Sequence, residues 1–411
     1  MRSIFSKKPK ELLYLLLISF AYSVFALFQA FQWYDLGLLK EYDIFFDTDT
    51  PSNLMSFAHG WGRYAISHAF IELITIPVRL LEALLSILFL GHQDPMVIRE
   101  YIALSIAPIC TMASTIIIFT ILRQLEFKKP ESFILSLVFL MGFSNVVFSR
   151  LPETFPISQL LLLSSLLALL TIKEKYKYFV LFIVAILATG TTITNIITIF
   201  IFLFSYQNTS IRSGVNSSIF CIFVGIIVIA SYKLLQLAMG FEMGNEGKPN
   251  WILQYLNFDI KVILQNSINM LAAIANSFFS FDYHLNTGTE CFDGNGCLKL
   301  SLQKPINDLS TIIKSIASLS FILFCLSRIK SQSETEKKIS TACLLVISYN
   351  VILHSFFGVE AFLYSQHFYF AAFLLLAMCI KNNIKIQLTF LFICTSSALL
   401  YKLTSTNLLM G

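Results

Sequence analysis

The chain has 411 residues, 56% of them hydrophobic and only 13% charged, with a formal charge of +5. Soluble domains carry roughly 25% charge, so water is not the main solvent for this chain. The longest mostly polar stretch, about 237–308, is too short and too apolar in its middle to be a soluble catalytic domain. The net charge gives no footprint for nucleic acid, because Lys and Arg crowd the ends of apolar runs.

The N-terminus, MRSIFSKKPKE, leads into an apolar run from Leu12 to Phe31. About 20 apolar residues cross a bilayer at 1.5 Å per residue, whereas a cleaved signal has a shorter apolar core and small residues after it. The run is expected to be a retained first helix. Further spans are predicted near 101–122, 132–149, 155–172, 178–189, 191–206, 218–236, 309–327, 340–357, 368–380 and 386–401. The expected fold is a single-domain, all-α polytopic membrane protein over residues 1–411, with about eleven spans and a range of ten to twelve. A cytoplasmic N-terminus gathers 17 of the 29 basic residues into short inner loops, from Arg2 and Lys7 to Lys381 and Lys385.

That orientation leaves two large outer loops, about 33–100 and 237–308. The first contains an apolar stretch from Phe70 to Leu90 interrupted by Glu72, Pro77, Arg79 and Glu82, a pattern that suits a helix lying at the interface rather than a span. A similar segment lies near 260–280 in the second loop.

Candidate chemistry gathers at these outer edges. Asp47 and Asp49 flank Thr48, with Pro51 just beyond, so the pair sits on a turn, where carboxylates serve as a general base or a cation site. The alternative is a solvated acid pair. Arg63 and His68 follow, suited to neutralising a phosphate or to snorkelling among head groups. Arg150 and Glu153 occupy the tight turn Ser149–Pro156, either as an ion pair or as separate contacts to a lipid phosphate and a sugar hydroxyl. Glu360, Tyr364 and His367 fall at i, i+4 and i+7, one face if helical. Polar groups at that depth usually line a cavity, although a Tyr there is often only an interface belt residue. Thr191, Thr192, Thr194 and Asn195 are expected to join helices. Cys291 and Cys297 bracket Phe-Asp-Gly-Asn-Gly and are expected to form a small disulfide if that side is oxidising. No four-ligand metal set lies nearby, and the other six cysteines read as apolar packing.

The order of these features resembles the GT-C superfamily of membrane glycosyltransferases: a first helix, then a large outer loop opening with acids and continuing into interfacial helices. The stretches that carry the likeness are FFDTDTPSN and RYAISHAFIELITIP, the latter similar to a His-Pro-Leu-Phe type segment with Ala69 where Pro is usual. SRLPETFPISQLLLL and EAFLYSQHFYFAAFLLL are similar to turns in bacterial members, among them relatives of protein mannosyltransferases and the aminoarabinose transferase. The resemblance implies a polyprenyl-phosphate-linked sugar donor, a glycan or lipid-linked acceptor, and inversion by direct displacement. Asp49 would be the general base with Asp47 in reserve. Arg63, His68 and Arg150 would hold the donor phosphate, joined around the sugar by Glu153, Glu360, Tyr364 and His367. No cofactor is required on this view, with a divalent cation at Asp47 and Asp49 as the one variation. By analogy, the chain resembles O-antigen serotype-modifying glucosyltransferases of the bacterial inner membrane, which work on lipopolysaccharide from the periplasmic side alongside a flippase and a donor synthase. The rival readings are a polysaccharide polymerase or ligase and a lipid-linked oligosaccharide flippase or other transporter.

Overall fold

The computed structural model describes residues 10–40, 44–46, 48–60, 68–88, 94–207, 210–239, 256, 258–281, 284–288, 297–302, 308–357 and 361–410. The chain is helical, as the unbroken apolar runs dictate: without water, a backbone satisfies its own polar groups by coiling. Eight helical segments are long and apolar enough to cross a membrane: Lys10–Asp35, Pro95–Gln124, Thr154–Thr171, Ile211–Leu235, Leu309–Ile329, Glu334–Phe356, Ala361–Cys379 and Ile384–Lys402. One short antiparallel hairpin interrupts the helices, with β1 (His284–Gly288) paired to β2 (Cys297–Ser301).

The helices in chain order are α1 (Lys10–Asp35), α2 (Thr50–His59), α3 (Thr75–Leu88), α4 (Pro95–Leu104), α5 (Ile106–Gln124), α6 (Lys129–Met141), α7 (Phe143–Phe148), α8 (Thr154–Thr171), α9 (Glu174–Thr191) and α10 (Asn195–Tyr206). They continue with α11 (Ile211–Met239), α12 (Ile260–Phe278), α13 (Leu309–Ile329), α14 (Glu334–Phe356), α15 (Ser365–Cys379) and α16 (Ile384–Met410). Their starts follow ordinary capping chemistry. Asp94, Asp259 and Asp308 accept from the first-turn amides of Met96, Lys261 and Thr311, and Ser333 and Glu336 form a reciprocal capping box.

α15 is the centre of the bundle, with nearly every side chain buried from Ser365 to Met378. α1, α11, α13 and α16 lie at the periphery and expose rows such as Leu13, Leu17, Phe20 and Phe28 or Ile316, Leu319 and Leu323. Exposed in water, such rows would be heavily penalised; against lipid they are matched to their solvent. Many hydroxyls within the bundle bond the carbonyl one turn back, as Thr111 does to Ala107 and Ser136 to Ser132, which keeps those hydroxyls satisfied in apolar surroundings.

The face carrying α2, α3 and α4 is the upper face. The Phe70–Leu90 stretch expected to lie at the interface becomes a short 3₁₀ turn, Ile71–Ile74, followed by α3, whose Ile76, Leu80, Leu84 and Ile87 are exposed. The segment expected near 260–280 is α12. Ser267 meets Ser355 at the end of α14, and the amide of Ser280 meets Ser397 on α16, so α12 lies over upper parts of the bundle.

The run expected as one span over 132–149 is broken. α6 stops at Met141 and α7 restarts at Phe143, with Gly142 extended between them. The carbonyl of Phe139 released at the break accepts from Asn145 Nδ2 at 2.7 Å and from the Tyr369 hydroxyl at 3.0 Å. A Cβ on Gly142 would stand 1.9 Å from that hydroxyl, which is why glycine occupies the break.

Candidate functional site

The segment around Asp49 is pinned by two aromatic rings. Phe45 stacks on Trp33 with centroids 4.5 Å apart, and Phe46 sits edge-on to Phe362 at 4.9 Å and to Phe143 at 6.2 Å. Phe46 has φ +55°, a left-handed conformation that a bulky side chain adopts only when its surroundings force it. Strain of this kind concentrates at functional sites. Here it stands directly before the two acids. Asp49 is half-buried and caps α2 by position, but its side chain does not bond the helix amides. Asp47 lies outside the described residues.

One turn into α2, the buried side chain of Asn53 reaches the 149–156 turn, where its Nδ2 donates to Glu153 Oε2 at 2.6 Å. The Oδ1 of Asn53 is buried with no hydrogen-bond partner among the described residues. Glu153 precedes α8 and does not spend its carboxylate on capping it. A buried carboxylate held by a carboxamide whose oxygen lies alongside is a setting that can orient hydroxyls and accept a proton.

Arg150, three residues earlier, faces the other way. Its Nε donates to Gln29 Oε1 at 2.6 Å, and its Nη1 donates to the Val146 carbonyl, to Ser149 Oγ at 3.3 Å and to the Tyr22 hydroxyl at 3.4 Å. Arg150 and Glu153 are therefore not an ion pair: one side chain serves α1 and the other serves α2.

The third segment joins through aromatic contacts. Phe362 lies in the 3₁₀ turn Ala361–Tyr364 and touches Phe143 and Phe148 as well as Phe46. Phe155 then meets Tyr364 at 6.5 Å and His367 at 5.3 Å. Three segments that are distant in sequence, 45–53, 148–156 and 361–367, thus meet around one aromatic knot. Glu360 lies outside the described residues.

His68 docks elsewhere. Its Nδ1 is 2.8 Å from the carbonyl of Thr191, and the amide of Phe70 donates to Gly190. The hydroxyl-rich turn does join helices, since Ser158 Oγ contacts both Thr192 Oγ1 at 3.0 Å and Asn195 Nδ2 at 3.1 Å. Arg63 and Cys291 lie outside the described residues, while Cys297 opens β2 opposite Gly288. Among the described residues, no three His, Cys, Asp or Glu side chains are grouped to hold a metal ion.

Several polar residues joined to this region were not singled out by sequence. Asn53 was findable as the i+4 neighbour of Asp49. His354, stacked on Tyr364 at 3.7 Å, gave no signal within an apolar helix. Gln366 donates to Ser144 Oγ and Asn145 Oδ1, each at 3.0 Å, across the helix break. His59 contacts Glu100 at 3.0 Å, Tyr34 donates to the same carboxylate, and Arg79 donates to the His59 carbonyl at 2.9 Å, which ties α1, α2, α3 and α4 into one cap.

No known family matches the chain, and neither does any curated protein or solved structure.

Proposed function

We propose that this chain is a GT-C-like membrane glycosyltransferase that moves a sugar from a polyprenyl-phosphate donor to a surface-glycan or lipid-linked acceptor. On this reading α6 with α7, α9 and α10 join the eight long helices to give eleven spans, the N-terminus is cytoplasmic, and the upper face is the periplasmic side of a bacterial inner membrane. Asp49 takes the proton from the acceptor hydroxyl. The acceptor oxygen attacks the anomeric carbon from the side opposite the phosphate, the carbon–oxygen bond to phosphate breaks, and its electron pair leaves with polyprenyl phosphate. Glu153 and Asn53 orient a hydroxyl beside that centre. Basic groups, with Arg63, His68 and Arg150 as candidates, offset the charge that grows on the phosphate as it leaves.

One observation carries the reading: the buried Asn53–Glu153 contact, which joins the acid-bearing end of α2 to a second acid a hundred residues later. Soluble surface acids have no need of such a partner. Mass analysis of the surface polysaccharide tests it. A hexose-sized increment per repeat that vanishes in Asp49→Asn, with the protein still in the membrane, is the expected result. Full transfer by both Asp49→Asn and Asp47→Asn would remove the mechanism, and a change in chain length without a change in repeat mass would favour a polymerase or ligase.

A transporter is the second reading, favoured by the break at Gly142 and the polar set Ser144, Asn145 and Gln366 beside it. The transferase is preferred because those groups are neutral and bonded to one another and Tyr369 fills the break. Movement of a lipid-linked glycan across vesicles by the Asp49→Asn protein would reverse that preference.

A further inference from the structure

Three of the six cysteines expected to serve as apolar packing meet at the lower edge of the bundle. Cys325 on α13 and Cys379 at the end of α15 bring their Sγ atoms to 3.1 Å, and fully buried Cys343 on α14 lies near Cys325. Among the described residues, no third His, Cys, Asp or Glu is grouped with the pair to hold a metal ion. The contact is nevertheless closer than packing requires. An S–S bond is about 2.05 Å long, so forming one here takes about 1 Å of movement, shared by two side chains that each turn about a single bond.

The two thiols differ in access. Cys325 is 1% exposed, whereas Cys379 is half-buried, closes the span Ala361–Cys379 and has Arg328 within electrostatic reach. A partly exposed thiol in a positive setting is the kind that reacts, and a second thiol beside it is the kind that resolves the product. Cys325 also holds a structural place of its own. α13 packs chiefly on α12, and from Leu323 to Lys330 Cys325 is the one buried residue, with Leu323, Phe324 and Leu326 exposed around it. The lower end of α13 therefore meets the bundle at this sulfur contact.

We propose that Cys379 and Cys325 are a redox site, closed by peroxide into a reversible disulfide that staples the lower end of α13 to α15. The Cys379 thiolate attacks one oxygen of hydrogen peroxide and the O–O bond breaks. Cys379 becomes a sulfenic acid, and the departing hydroxide takes up the proton that the thiol had shed. The Cys325 sulfur then attacks the Cys379 sulfur, the S–O bond breaks, and the Cys325 proton leaves with that oxygen as water. In sum two thiols lose two electrons and two protons, and one peroxide becomes two waters. A thiol reductant reverses the change by exchange. The staple stands independently of the transferase reading, since it lies at the far end of α15 from Tyr364 and His367.

Peptide mapping of the full chain in detergent tests the pair. Purified wild type is treated with hydrogen peroxide, alkylated, digested without reductant and read by mass spectrometry. The expected product is a linked pair of peptides carrying Cys325 and Cys379, two hydrogens lighter than their sum and parted again by dithiothreitol. The oxidised protein is also expected to show a higher Tm than the reduced one, because the bond restricts the unfolded chain. In Cys325→Ser the reaction is expected to stop at a Cys379 sulfenic acid, trapped with dimedone, and in Cys379→Ser the buried Cys325 is expected to stay reduced. The wild-type measurement decides even if either variant fails to fold. Free thiols at both positions, oxidation of Cys379 to the sulfinic acid without a link, or a Cys325–Cys343 link overturns the proposal. An oxidised protein that melts no higher overturns the stapling role.

Discussion

The lower face of the bundle and the 149–156 turn treat charge in opposite ways. On the lower face, cations find acids close by: Lys381 meets Glu336 at 2.7 Å and the Leu125 carbonyl at 2.9 Å, Lys337 meets Glu334 at 2.8 Å, and Lys177 meets Glu174 and the Tyr206 hydroxyl. In the 149–156 turn a cation and an acid three residues apart decline each other, Arg150 bonding neutral acceptors on α1 and Glu153 bonding an amide on α2. Paired charges are structural and spent. A buried guanidinium bonded only to neutral acceptors, as at Arg150, costs stability that packing alone does not require.

Substitutions can break or sharpen that contrast. The largest effect is expected at the acids of the upper face, where Asp49→Asn abolishes transfer and Glu153→Gln reduces it by roughly a hundredfold or more, as loss of an oriented acid or base does; both variants should be present in the membrane at wild-type level by immunoblot. Asn53→Ala should cost about 1–3 kcal/mol of transition-state stabilisation, roughly ten- to a hundredfold in rate, because it leaves a buried carboxylate short of a donor. A radiolabelled-sugar transfer assay reads that directly, and wild-type kinetics would detach Asn53 from the site. Gly142→Ala should lower stability by about 1–3 kcal/mol through collision with the Tyr369 hydroxyl, seen as a reduced Tm in detergent. Lys381→Gln is expected to cost about 1–3 kcal/mol of stability by stranding mostly buried Glu336, with unchanged transfer per folded molecule. Lys337→Ala should leave both Tm and transfer unchanged, since its pair with Glu334 is exposed.

Sequence carried the helical membrane character and the existence of α3, because hydropathy over twenty residues and a periodic apolar face are local properties. It also marked the 45–49, 149–156 and 361–367 segments as worth attention, by residue type. What it did not carry was direction. Nothing in Ser149–Pro156 tells that Arg150 turns towards Gln29 while Glu153 turns towards Asn53, since each choice is made by a partner a hundred or more residues away. The break at Gly142 was equally hidden: a glycine within an apolar run reads as tolerated, and only the hydroxyl of Tyr369 pressing on it explains its place. His354 lay silent within α14 for the same reason, its role being given by the ring of Tyr364 across the bundle.

The docking of residues 68–70 has a consequence for how the molecule is made. The ring of Phe70 occupies the space where a Cβ on Gly190 would stand, with 2.0 Å between them, and His68 is fastened to a carbonyl 123 residues downstream. Emerging from a ribosome at about 5–20 residues per second, the first loop waits roughly 6–25 s before its receptor exists. During that interval α3 can pack on α2 and α4, both already made, through Arg79 to the His59 carbonyl and Glu82 to Arg99, while Phe70 lacks its seat. The cap of α1 to α4 can thus assemble early, and it locks onto the rest of the bundle only once α9 arrives to receive residues 68–70.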